Sequence, residues 1–183
     1  MLRGLLESQN LAYADPLGVA VCFKGNSSQV DSLRRALEDA TGSHIEVRAD
    51  NCVTSVVGSG YARMEGLRAI LRALVSDDKT FYISLGSGEQ LTSPYSHFDE
   101  GTRTAVIVRG GFRGGFYNAT GGCNAPQANW TRGALVAHEL PGHGIGMIEE
   151  GRRHEGGVPV GVENWYHAAR GQQLRCLLDD RSR

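Results

Sequence analysis

The segment HELPGH at residues 138 to 143 constrains this chain more than any other stretch, because it asks of a helix something that a regular helix cannot do. His138, Glu139 and His143 are the residue types that hold and work a catalytic metal: imidazole nitrogens bind a divalent ion, and a neighbouring carboxylate handles protons. Histidines four apart, as in the common HExxH pattern, lie about 40° apart around an ideal helix, whereas five apart they lie about 140° apart, too far for both rings to reach one ion. Pro141 and Gly142 stand inside that interval. A proline removes a backbone hydrogen bond and crowds the preceding turn, and single-residue insertions of the π type occur at such breaks. One wide turn returns His143 to the face of His138. The competing reading ends the helix at Leu140 and leaves His143 in a loop.

A chain of 183 residues suits one domain with a core large enough to surround such a site. Its 19 basic and 20 acidic side chains give a net charge of −1, which points away from nucleic acid and from anionic membranes. No apolar run approaches the roughly 20 residues that a bilayer span needs, so membrane insertion is not expected, and residues 1 to 10 are too short and too polar to read as a signal peptide. Cys22, Cys52, Cys123 and Cys176 are scattered without a CxxC pair, which disfavours a structural zinc ribbon. Two disulfides or four buried thiols both fit that pattern. Thiols are the expectation, with Cys123 packing in a glycine-rich loop.

Apolar periodicity predicts a helix over residues 28 to 40, with Ser28 as cap and Gly42 as stop, and a second over 63 to 75. β-rich segments at 44 to 49, 52 to 58, 80 to 86 and 103 to 110 are bounded by turn residues. Residues 110 to 129 contain six glycines and read as a loop leading into the HELPGH helix. Residues 151 to 161 read as another loop, and 163 to 178 as a final helix. The expected fold class is α+β, with a small mixed sheet packed against the helix that carries the histidines. RTAVIVRG (103 to 110) fits either an edge strand able to pair with an extended peptide or an ordinary central strand.

A catalytic zinc takes three protein donors and keeps one position open, so His138 and His143 need a partner. Glu163, 20 residues beyond His143, is the expected third ligand. Glu149, Glu150, His154 and Glu155 compete, the first two too close to the break to fold back easily and the others on a less rigid mount. Glu163 also reads as a solvated carboxylate favoured at a helix start. His167 and Arg170 follow it at i+4 and i+7 on one helix face. The catalytic expectation is Glu139 as general base, with His167 or Tyr166 as an oxyanion donor; for Tyr166 an aromatic core contact is the competing reading.

HELPGH resembles the HExxGH motif of dipeptidyl peptidase III, a zinc enzyme in which histidines five apart bind one metal. That resemblance covers six residues and implies only that the spacing is workable. Residues 104 to 175 resemble more broadly the zincin-like metallopeptidase domains of bacterial effectors and polymorphic toxins, in which the metal helix is followed by a segment ENxxRxxxGxxxR. Glu163, Asn164, Gly171 and Arg175 match that segment, and His167 stands where arginine is usual. NLAYADPLGVAV (10 to 21) is similar to the junction that closes the shell of Rhs-type toxins: Tyr13, Asp15, Pro16 and Gly18 match, Val19 replaces leucine, and Asn10 stands in place of a proline.

The resemblance implies a self-cleavage junction involving Asp15 and cutting after Val19, a shell remnant over residues 1 to 19 and a toxin domain over 20 to 183. It implies a secreted zinc endopeptidase delivered into a target cell, acting on a protein or peptide there and neutralised by a cognate immunity protein. Two other functions remain open: a non-catalytic metal-containing module that sequesters a target-cell protein, and a zinc amidase acting on the cell wall.

Overall fold

A computed structural model describes residues 20–58, 64–86, 96–108, 131–152 and 157–176. The junction residues Asp15 and Val19, and also Cys123, His154 and Glu155, lie outside them.

The described part is α+β. Strand β1 (Val21–Lys24) leads into helix α1 (Ser27–Thr41), followed by a hairpin of β2 (Ser43–Val47) and β3 (Val53–Gly58) and by helix α2 (Glu65–Ser76). Strands β4 (Phe81–Leu85), β5 (His97–Asp99) and β6 (Thr104–Ile107) complete a mixed sheet in the order β1-β4-β6-β5. β1, β4 and β6 run parallel, and β5 pairs antiparallel with β6 at the edge. The described residues of RTAVIVRG therefore form an inner strand, and the edge beside it is β5. Strands of three or four residues carry too little alternation to be read from sequence, which is why β1 and β5 escaped the periodicity argument.

α1 begins one residue before the predicted span, and its cap is Asn26 rather than Ser28. The Asn26 side chain accepts from the Gln29 backbone N–H while the Gln29 side chain accepts from the Asn26 N–H, a reciprocal box that satisfies two otherwise unpaired donors. Gly42 ends the helix as expected, in the left-handed conformation at φ 60° that a residue with Cβ rarely adopts. Val30, Leu33, Leu37 and Ala40 of α1 pack with Leu67, Leu71 and Leu74 of α2, Phe81 and Ile83 of β4, and Ala105 and Ile107 of β6 in one core.

Against that core lies a rod of three consecutive pieces: α3 (Arg132–Ala137), a π-helical turn (His138–Gly142) and α4 (His143–Glu149). Residues 133 to 144 are buried throughout, so this is a central helix covered on every side, with His138, Glu139 and His143 as its buried polar residues. α5 (Gly157–Ala169) covers it. α5 starts inside the stretch read as a loop, because Pro159 sits in the first turn, where no N–H is needed from it and its fixed φ suits the helix. Glu163 consequently lies in mid-helix, fully buried, and not at a solvated helix start.

The expectation of four thiols is overturned. Cys22 and Cys52 form a disulfide across 30 residues, tying β1 to the turn before β3, and Cys176 is disulfide-bonded as well. Closing a loop of that length contributes about 3–4 kcal/mol in the chain-entropy picture. The spacing of the cysteines gave no signal for pairing, because β1 had not been recognised and nothing else brings Cys22 near Cys52.

Candidate metal centre

The wide turn expected from Pro141 and Gly142 is present. His138–Gly142 is π-helical, with Pro141 inside it, and α3 and α4 continue on either side. Thr131 caps the assembly by accepting from the Ala134 N–H. The extra residue in the turn absorbs the five-residue spacing, so the His138 and His143 rings meet edge to face, with centroids 5.1 Å apart. His143 Nε2 lies 3.6 Å from Glu139 Oε2, and one donor atom from each of His138, Glu139 and His143 lies within 4.8 Å of the others. All three residues are buried, Glu139 to 1% exposure. Phe98 of the edge strand β5 stacks against His143 at 6.1 Å between centroids, which sets one wall of the group on the sheet.

Gly142 has a packing role that its reading as a helix breaker did not reveal. A Cβ placed there would come within 2.9 Å of the Pro159 Cα, a backbone atom of α5 that cannot swing away. α5 thus rests directly on the π-turn. Gly142→Ala should cost about 1–3 kcal/mol in chemical denaturation, the usual penalty of overpacking. Gly161→Ala, on α5 itself but with nothing within 4 Å, should instead be neutral or stabilise by up to about 1 kcal/mol. Equal effects at the two positions would refute the close approach.

Glu163 comes to His138 from behind rather than into the group of three. Its Oε2 accepts from His138 Nδ1 at 2.8 Å and from Arg175 Nη1 at 2.8 Å, while Oε1 lies 3.0 Å from His167 Nε2. Burial alone would raise the Glu163 pKa, but hydrogen bonds from His138 and His167 and the charge of Arg175 outweigh it and hold the carboxyl down at about 2. Desolvation pushes the His138 imidazole below its ordinary pKa despite the Glu163 hydrogen bond. A neutral ring with its N–H on a carboxylate is the form in which histidine binds metal.

The other expected site residues face elsewhere. His167 is held between Glu163 and the Gln172 side chain, whose Oε1 lies 3.0 Å from His167 Nδ1. The Tyr166 hydroxyl bonds Thr131 Oγ1 and donates to Asp39 Oδ2 at 2.8 Å, and burial pushes its pKa up to about 12. Arg170 covers the Tyr166 ring at 3.8 Å and pairs with Asp39 at 2.6 Å. Tyr166 and Arg170 therefore dock α5 on α1. His167 and Arg170 do follow Glu163 at helical spacing, but α5 is wrapped by more than one neighbour, and its buried arc is too wide for one face to mean one site.

Arg175 was noted only as a motif match, and its role follows from the way α5 ends. Gly171 adopts φ 63°, with Gly171 N–H bonding the Ala168 carbonyl and Gln172 N–H the His167 carbonyl, the Schellman arrangement that reverses a chain. The returning segment runs back along α5, where Asn164 clamps it: Asn164 Nδ2 donates to the Arg175 carbonyl at 2.8 Å, and Arg175 N–H donates to Asn164 Oδ1 at 2.7 Å. That clamp delivers the buried guanidinium of Arg175 to Glu163. An arginine inside the otherwise apolar run LRCLL was the available signal.

Two imidazole nitrogens and a carboxylate oxygen form a donor set suited to zinc and neighbouring transition metals. Among the described residues, no helix is long and apolar enough to cross a membrane. No family model, curated protein or solved structure matches the chain.

Proposed function

We propose that this chain is a zinc-dependent endopeptidase of zincin-like architecture, acting as the toxin domain of a larger secreted bacterial protein. The observation that carries the metal reading is the π-turn: a buried helix widened by one residue at the place where His138 and His143 would otherwise diverge. π-turns are uncommon and cost regular hydrogen bonding, so one that converges two histidines and a glutamate argues for function. A bound zinc would supply an acidified water and a Lewis acid for a carbonyl oxygen. His138 and His143 would hold the ion. Glu139, beside His143, would accept the proton of the attacking water and pass it to the leaving amine.

Peptide as substrate rests on the resemblance of residues 104 to 175 to effector-type zinc peptidases, whose EN segment has here a coherent set of structural roles at Glu163, Asn164, Gly171 and Arg175. Delivery from a shell, cleavage after Val19 and a protecting immunity protein rest on the Rhs-like junction. The disulfides favour passage through an oxidising compartment.

The test is zinc content and proteolysis of the full chain. After dialysis against metal-free buffer, the wild type should retain about one zinc per chain, and His138→Ala and His143→Ala should not. The zinc-loaded wild type should cleave an unstructured protein such as casein, and a chelator should stop it. Metal retention without hydrolysis would favour a second reading that the convergence of Glu139 with both histidines also supports: Glu139 as a third ligand in a structural site of a binding module.

A further inference from the structure

We infer that Glu163 is a positioning residue and not a metal ligand: with Arg175 and His167 it forms a buried brace that fixes the His138 ring by its Nδ1 and so presents Nε2 to the metal. The inference rests on the metal reading of His138 and His143, assigns to Glu163 a different part in it, and places the third protein donor of a catalytic zinc elsewhere than at Glu163.

The geometry carries the assignment. The two carboxylate oxygens of Glu163 are engaged from separate sides, Oε2 by His138 Nδ1 and Arg175 Nη1 and Oε1 by His167 Nε2, at 2.8 to 3.0 Å. Three of the four acceptor sites of this fully buried carboxylate are thus taken, and the oxygen that faces His138 has both of its sites filled by protein donors. A carboxylate that braces a metal-binding histidine keeps all of these bonds. Imidazole has two nitrogens on opposite sides of the ring, so the one that faces Glu163 decides the one that faces the ion.

The brace is itself anchored. Arg175 reaches Glu163 only because the Gly171 turn reverses the chain and Asn164 holds the Arg175 backbone at both its N–H and its carbonyl. His167 is anchored through Gln172, a residue of the same reversal. Each part of the segment after the metal helix thus acts on His138 through one carboxylate. The group that converges with His143, by contrast, contains Glu139 and not Glu163.

Two measurements on the full chain test this. In the zinc-loaded wild type labelled with nitrogen-15 at histidine, two-bond proton–nitrogen spectra should show His138 protonated at Nδ1 and metal-bound at Nε2. Metal on His138 Nδ1 would overturn the assignment. In the cobalt-loaded form, Glu163→Gln, which keeps an acceptor oxygen, should leave the visible absorption bands unchanged and retain most of the affinity. Glu163→Ala and Arg175→Met should each weaken zinc binding by about 10–100-fold, the usual cost of losing a supporting residue around a metal.

A changed cobalt spectrum in Glu163→Gln, with an unchanged one in Arg175→Met, would make Glu163 a ligand and end the proposal. Wild-type affinity in folded Glu163→Ala would also end it. Failure of the wild type to bind either metal would instead sink the metal reading itself, which keeps the two failures distinct.

Discussion

Glu139→Gln should reduce peptide hydrolysis by about 10²–10⁴-fold, the range expected when a general base is lost, while zinc content stays at the wild-type level. The substitution is isosteric, so the π-turn has no steric reason to change around it. What changes is the ability of the side chain to take a proton. Glu139 sits one residue after His138 and four before His143, with its carboxylate 3.6 Å from the His143 ring nitrogen and almost no exposure to solvent. In that position a carboxylate has two possible employments, as a base beside the ion or as a donor to it. The amide distinguishes them. An amide oxygen is a poor zinc donor, so a ligand role would take metal and activity away together, whereas a base role removes activity alone. Full activity with full metal would remove Glu139 from the chemistry altogether. Measuring zinc by elemental analysis and hydrolysis on the same preparation gives both answers at once.

How much of this was legible in advance differs between the site and the fold around it. The wide turn followed from one contradiction: two residues that belong on one ion, spaced so that a regular helix separates them, with a proline between. A local conflict of this kind is informative because it concerns backbone geometry within six residues. Glu163 meets His138 at Nδ1, outside the group formed with Glu139 and His143, whereas its separation in sequence had suggested a place on the ion. Sequence separation sets whether a side chain reaches a site, and not which nitrogen of an imidazole it meets. The place of Arg175 required knowing that Gly171 reverses the chain, an outcome that depends on the helix stopping at Ala169 instead of running on to 178. The start of α5 differs for the opposite reason: residues 151 to 161 read as a loop from their glycines, while Pro159 in a first turn promotes the helix. The disulfide was illegible because it joins a four-residue strand to a turn, two elements without periodicity.

The second expected result concerns the turn itself and pairs a deletion with an insertion. Removing Pro141 should convert HELPGH to HELGH, restoring four-residue spacing in a helix that no longer needs the bulge. A π-turn is one residue added to an α-helix, so taking one away cancels it and leaves the axes of α3 and α4 close to their present relation. That conservation matters because both flanks are packed. Ala134, Val136 and Ala137 are buried on one side of the turn, and on the other a Cβ at Gly144 would already lie 3.0 Å from Leu74. The deleted chain should therefore fold, bind zinc within about tenfold of wild type, and melt no lower, since a proline in a helix interior costs about 3 kcal/mol where nothing compensates it. Adding one alanine between Leu140 and Pro141 has the opposite consequence. It carries His143 about another 100° around the axis unless the turn widens again, and α5 resting on Gly142 leaves no room for that. Zinc affinity should then fall by more than the about 10–100-fold that loss of a supporting residue costs, because a ligand itself has been turned away. Loss of zinc in the deletion with retention in the insertion would show that the bulge does not set the histidines, and that the five-residue spacing has some other reason.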